Sequence, residues 1–268
     1  MDNKDADEIR TAVRHKYAEV ARDHSTGCGC LPSPTCCDGP RVSLDDLGRL
    51  TGYSPEETSG APEGSNLGLG CGNPQAIAAL KPGETVLDLG CGAGFDCFLA
   101  AKQVGETGQV IGVDMTPEMI SKARENAVRA AYSNVDFRLG EIEHLPVEDG
   151  SADVIISNCV INLSPEKHCV LGEAFRILKA GGRLAITDVV ASAPLPPEFK
   201  NDLTLLSGCI AGAATIEELN TMLQEVGFTD IRICPRDESR MFIKDWFPNI
   251  NVEDYVVSAT IEAVKPLA

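Results

Sequence analysis

The chain predicts an α/β fold, a mostly parallel sheet with helices on both faces. Three observations carry the prediction. From residue 84 onward, short apolar runs alternate with segments of helical period. A glycine-rich turn joins the first of these runs to the first helix. The 268 residues, 43% hydrophobic and 24% charged, suffice for one substantial core.

Taken in order, residues 7–22 place Ile9, Val13, Tyr17 and Val20 on one helical face. Residues 25–40, "STGCGCLPSPTCCDGP", and 59–74, "SGAPEGSNLGLGCGNP", read as loops by their Gly, Pro and Ser content, with a short helix candidate between them. "ETVLDLG" (84–90) is a buried strand, "FDCFLAAKQV" a helix and "GQVIGVD" (108–114) a strand. "PEMISKARENAVRAA" is a helix with Pro117 in its first turn behind the capping candidate Thr116. Strands "VDFRLG" and "ADVIISN", helix "SPEKHCVLGEAFRILK" and strand "GGRLAITDV" follow. Cys159 falls two or three residues past the apolar run Val154-Ile155-Ile156, where α/β enzymes keep their chemistry. A Pro-rich link, a helical region, a helix over 216–226 and the strand candidates "IRICP" and "YVVSATIEAV" close the chain.

No run of about 18 apolar residues is present, so no membrane span is expected. "MDNKDADEIR" lacks a secretory layout, and a cytoplasmic location is expected. A net charge of −17 argues against a nucleic-acid footprint, which needs clustered Lys and Arg. Eleven cysteines, an odd number without an export signal, point to core filler, ligands or redox chemistry rather than a disulfide frame. Cys97, Cys169 and Cys234 sit inside helix or strand patterns and read as filler.

"LDLGCGAGFD" places Gly90, Gly92 and Gly94 where backbone must pass close to a ligand, and Asp114 ends the next strand. The spacing is G-x-G-x-G after an acid, which disfavours NAD. This turn resembles that of class I S-adenosylmethionine-dependent methyltransferases. The resemblance implies Asp88 and the glycines beside the methionine moiety, Asp114 on the ribose and Met115 beside the adenine. It also implies Ile142 and Glu143 at the adenine edge; Cys91, within the turn, touches cofactor through its backbone.

No convincing base for an oxygen or nitrogen acceptor stands out, since His15, His24, His144 and His168 read as surface or structural. Trivalent arsenic fits better. It forms three bonds to sulfur, and its remaining lone pair attacks a methyl without losing a proton first. Cys71, Cys159 and Cys209, spread over three segments, supply the sulfurs. From "NLGLGCGNP" through "VIGVDMTPEM" and "SNCVINL" to "EAFRILKAGGRLAITDV", the chain resembles microbial arsenite methyltransferases. By that resemblance Cys71, Cys159 and Cys209 are the arsenic ligands, Asn158 lies near the cofactor, and the seven-stranded, Rossmann-like sheet ends in an antiparallel strand.

Methylation oxidises arsenic by two electrons, which a dithiol returns by closing a disulfide. By resemblance to animal and algal relatives, Cys28, Cys30, Cys36 or Cys37 in "CGCLPSPTCC" is the resolving candidate, free thiols or a zinc site being the alternatives, with thioredoxin or glutathione as external reductant and a glutathione adduct as arsenic carrier. Against those relatives, Leu69 stands for an aromatic residue and Gly208 for an acid, and no counterpart of their extra C-terminal domain is expected. The expected organisation is a Cys-rich cap over 1–74, the cofactor-binding core over 75–193, a helical cap carrying the third ligand over 194–226, and closing strands over 227–268. Two rival readings stand: a methyltransferase for a small organic acceptor such as a quinone precursor, and a metalloid scavenger using the same thiols.

Overall fold

Seven strands build one sheet: β1 (Thr85–Leu89), β2 (Gln109–Asp114), β3 (Val135–Leu139), β4 (Ala152–Asn158), β5 (Leu178–Ala191), β6 (Thr229–Arg236) and β7 (Val256–Val264). The structure is a computed structural model, and it describes residues 6–22, 43–200, 202–247 and 250–267. Strand order is β3-β2-β1-β4-β5-β7-β6. The first five strands are parallel, and β7 lies antiparallel between β5 and β6. Val86 to Leu89 and Val154 to Ser157 are buried, because helices cover both faces of these central strands. β6 takes the edge, where Pro235 and the charged Asp230, Arg232 and Arg236 are tolerated.

The helices are α1 (Ala6–Arg22), α2 (Leu44–Thr51), α3 (Pro55–Gly60), α4 (Gln75–Ala78), α5 (Phe95–Val104), α6 (Pro117–Arg129), α7 (Lys167–Ile177), α8 (Pro197–Lys200), α9 (Leu203–Ser207), α10 (Ile216–Val226) and α11 (Arg240–Ile243). On one face α5 and α6 bury Phe98, Val104, Ile120 and Ala123 against Val86, Val110 and Phe137. On the other, α7 and α10 bury Leu171, Ile177, Leu219 and Leu223 against Leu87, Ile155 and Ile186. A third cluster joins Ile9 and Val13 of α1 to Leu205 and Leu206 of α9, Phe242 and Ile243 of α11, and Cys71, Cys159 and Cys209. This cluster caps the carboxyl ends of the central strands. There the strand order reverses between β1 and β4 and leaves the crevice where such folds bind ligands.

β4 spans Ala152–Asn158, as the segment "ADVIISN" predicts, so Cys159 follows the strand directly. Several other expectations change. The Thr116 side chain caps nothing; the Asp114 carboxylate takes its backbone N–H instead, at 2.8 Å. Cys97 is buried, but Cys169 and Cys234 are exposed and are not filler. Helical and strand periods place a residue on a face without saying whether that face is covered. Residues 194–226 divide: α9 joins the cap, whereas α10, held by a Thr215–Glu218 capping box, packs on the sheet face. Among the described residues no helix is long and apolar enough to cross a membrane.

Candidate functional site

The crevice is a cavity of about 1190 Å³, part of it open to solvent, walled by the first glycine turn, the ends of β1, β2 and β4, and residues 65–70. Asp88, Gly90, Cys91, Gly92, Asp114, Met115, Ile142, Glu143 and Asn158 line it; Gly94 does not. Gly94 is instead a packing glycine, with a left-handed φ of 92° and Phe98 and Phe137 at 2.8 Å from where a Cβ would stand. Gly92 differs. Its φ is 52°, yet a Cβ there would meet nothing within 4 Å, so the backbone is left bare toward open space. Asp114 accepts from Gly92 N at 2.9 Å and Thr116 N at 2.8 Å, one bond on each carboxylate oxygen. The Thr116 side chain is a third hydrogen-bond partner of this carboxylate, which still has acceptor capacity for a ribose hydroxyl. Burial pushes this carboxyl up, against the Thr116 and Gly92 N–H donors and the Thr116 side chain. A bare turn beside an oriented carboxylate fits a nucleoside-type cofactor such as S-adenosylmethionine.

Asn158 is the knot between cap and sheet. Its Oδ1 accepts from Cys71 N and Thr187 Oγ1, both at 3.1 Å, and its Nδ2 lies 2.8 Å from Gly72 O and 2.9 Å from Tyr53 Oη. Tyr53 Oη donates to the Asp96 carboxylate at 2.8 and 3.0 Å, and Gln75 Nε2 donates to the Asp96 carbonyl. Burial nevertheless pushes the Asp96 carboxyl up to about 6. Asp88 is raised too, by burial and then by the charge of Asp96; it accepts from Cys97 Sγ at 3.2 Å. The Cys91 thiol is pushed up to about 11 by burial.

The sulfurs converge behind this wall. Cys71, Cys159 and Cys209 are all buried in one cluster, and Cys159 lines the cavity while Cys71 and Cys209 lie behind it. Cys209 Sγ donates to Cys159 O at 2.9 Å. One ligand atom each of Cys71, Cys159 and Asp188 lie within 4.8 Å of one another. The neighbouring Cys209 and Cys71 thiols, then burial, hold the Cys159 thiol well above the usual range. Cys209 is raised by burial, although its bond with Cys159 pulls the other way. Cys159 and Cys209 also adopt left-handed backbone, with φ of 61° and 64°. Such geometry costs on the order of 1–3 kcal/mol each and persists only where surroundings impose it, typically at functional sites.

Sequence reasoning missed four residues. Tyr53 and Asp96 hold Asn158 and carry no motif signal. Asp188 is held by Ile161 N, Val189 N and Asn162 Nδ2; like Asp114, it is an acid near a strand end, and that signal was available. Arg10 of α1 lies 3.3 Å from Glu143 Oε1, which also accepts from Ser164 Oγ at 2.5 Å, so a helix far away in sequence closes the cavity wall at Glu143. Gly208 has a packing reason: a Cβ there would lie 2.6 Å from the Phe247 ring, which fills the space an acid would need. Leu69 lines the cavity. His15, His144 and His168 are exposed and none lines the cavity, whereas Cys28, Cys30, Cys36, Cys37 and His24 lie outside the described residues.

Residues 80–227 match the methyltransferase domain family. The chain is 52% identical over 268 residues to the arsenite methyltransferase of Halobacterium salinarum, covering 98% of this chain and 68% of that protein. It is 39% identical over 232 residues to the arsenite methyltransferase of Aquipseudomonas alcaligenes, covering 84% of this chain and 63% of that protein. Among solved structures it is similar to the arsenic (III) S-adenosylmethionine methyltransferase of Chlamydomonas reinhardtii, with a TM-score of 0.63 and 34% identity. That match covers 85% of this chain and 75% of the other.

Proposed function

The chain belongs to the arsenite methyltransferases, S-adenosylmethionine-dependent enzymes of the class I fold, and from that membership we propose that it methylates trivalent arsenic held by Cys71, Cys159 and Cys209. One observation carries the assignment of the thiols: three cysteines from three segments share one buried cluster, and one of them opens onto the cofactor-type cavity. Bound S-adenosylmethionine supplies an electrophilic methyl group on a sulfonium. Asp114 takes the ribose hydroxyls, the Gly92 backbone admits the ligand, and the Arg10–Glu143 pair closes the adenine edge. Three thiols and arsenous acid exchange to three S–As bonds and three waters. The thiol protons leave with the hydroxyls, so raised thiol pKa values do not oppose capture.

Cys159 is the entry sulfur, because it alone of the three faces the cavity, and a glutathione adduct exchanges there first. The buried cluster then excludes water while the arsenic lone pair faces the cavity. Each methylation leaves arsenic oxidised by two electrons. Two thiols restore them by closing a disulfide, releasing two protons, and thioredoxin or glutathione reopens it. One of Cys28, Cys30, Cys36 and Cys37 is the resolving partner in this scheme. Among the described residues, α1 and α9 act as the cap over a core that includes α10.

The test incubates purified chain with arsenite, methyl-labelled S-adenosylmethionine and a thiol, then separates arsenic species by chromatography. Labelled methylarsenicals are expected from the wild type and none from Cys159→Ser. Equal product from both would sink the ligand assignment.

A further inference from the structure

The thiol cluster contains a donor that arsenic does not need. Arsenite is satisfied by three sulfurs, yet the Asp188 carboxylate stands within 4.8 Å of both the Cys71 and Cys159 sulfurs, and all three residues are buried. Asp188 is fixed as metal-bound carboxylates are. Its Oδ1 accepts from Asn162 Nδ2 at 2.9 Å and Val189 N at 2.7 Å, and its Oδ2 accepts from Ile161 N at 2.8 Å. Three donors on two oxygens leave one lone-pair direction, on Oδ2. The sulfur ligands are held as well. Cys71 is clamped through its N–H by Asn158 and through its carbonyl by Ser258 Oγ, at 3.1 and 2.9 Å, and the Cys159 carbonyl accepts from Cys209 Sγ. Bonds of this kind orient ligands before a metal arrives.

We propose that Cys71, Cys159 and Asp188, with Cys209 beside them, form a binding site for a zinc-type divalent cation that competes with arsenite. Mixed thiolate and carboxylate donors suit borderline-soft cations that prefer four ligands in a tetrahedron, whereas trivalent arsenic takes a pyramid of three sulfurs. Sulfurs on such a cation stand about 3.8 Å apart, given metal–sulfur bonds of about 2.3 Å, so the donors close by at most about 1 Å. The cation enters from the cavity at Cys159, the one ligand that lines it. Because it takes Cys71 and Cys159, it removes two of the three proposed arsenic ligands. The cation site itself stands without the arsenite reading; only the competition rests on it.

The test uses the reduced chain with Cys28, Cys30, Cys36 and Cys37 changed to Ser, so that these thiols bind no cation. Cadmium(II) is titrated while the sulfur-to-cadmium charge-transfer band is followed, and arsenite binding is read from the fluorescence of Trp246, which packs on the same cluster. One Cd²⁺ per chain is expected, displaced by arsenite. Asp188→Asn should weaken Cd²⁺ binding by about tenfold or more, and by a larger factor than it weakens arsenite binding. Unchanged Cd²⁺ affinity in that variant overturns the site, as does a chain that binds arsenite but no Cd²⁺. Simultaneous binding of Cd²⁺ and arsenite overturns the competition. If Asp188→Asn does not fold, the ¹¹³Cd resonance of the parent decides: a mixed sulfur–oxygen shift supports the site and an all-sulfur shift overturns it. A chain that binds Cd²⁺ but not arsenite keeps the site and ends the arsenite reading instead.

Discussion

At the residue scale, the cost of assembling thiols and acids without water shows at particular groups. Cys159 joins cavity and cluster, so Cys159→Ser should abolish arsenic methylation while equilibrium binding of S-adenosylmethionine persists. Loss of both would mean that Cys159 acts through the fold. Asp96 is a buried acid raised from 3.8 to about 6. Its folded form binds a proton between roughly pH 4 and 6 that the unfolded chain has already released, so its contribution to stability falls as pH rises through that window. The loss is on the order of 3 kcal/mol. Urea unfolding of wild type and Asp96→Asn should therefore differ in a pH-dependent way, with the wild type losing ground as pH rises. A constant difference would refute the ionised, buried state. Gly208 meets Phe247, so Gly208→Asp should lower the melting temperature, and adding Phe247→Ala should recover part of the loss.

At the element scale, α1 is a helix whose one face is apolar but whose docking is electrostatic at both ends. Arg10 bonds Glu143 and also pairs with Glu166 and Glu141, while Arg22 pairs with Glu118 and Lys122 reaches the Ala21 carbonyl. Among the described residues, Arg10→Ala leaves the buried Glu143 carboxylate with Ser164 as its side-chain hydrogen-bond partner. Amide exchange across residues 6–22 should then accelerate while β1 and β4 stay protected, because breaking a local latch opens a local unit. Uniform acceleration over the sheet would show instead that α1 is inseparable from the global core.

At the scale of the whole molecule, a net charge of −17 makes repulsion a general term that no single pair cancels. Salt screens it, so the melting temperature should rise from low to moderate sodium chloride, provided the exposed pairs contribute little. A fall on adding salt would show that the ion pairs, Arg183–Glu84 and Arg176–Glu173 among them, outweigh the repulsion.

The alternation of strands and helices was legible in the residues alone, because buried strands and amphipathic helices differ in period, and α10 is read to both of its ends, Ile216–Val226. So was the glycine turn with Asp114, since close backbone approach and a strand-end acid are local necessities. Tertiary structure alone decided the rest. It decided that β7 inserts between β5 and β6, that Arg10 closes on Glu143, that Asp188 joins the sulfurs, and that Cys169 and Cys234 face solvent. Each of these depends on which surfaces meet across long stretches of chain. Periodicity and spacing record what a residue's neighbours in sequence require, whereas a buried pair of distant residues is chosen by packing and desolvation after the chain has folded.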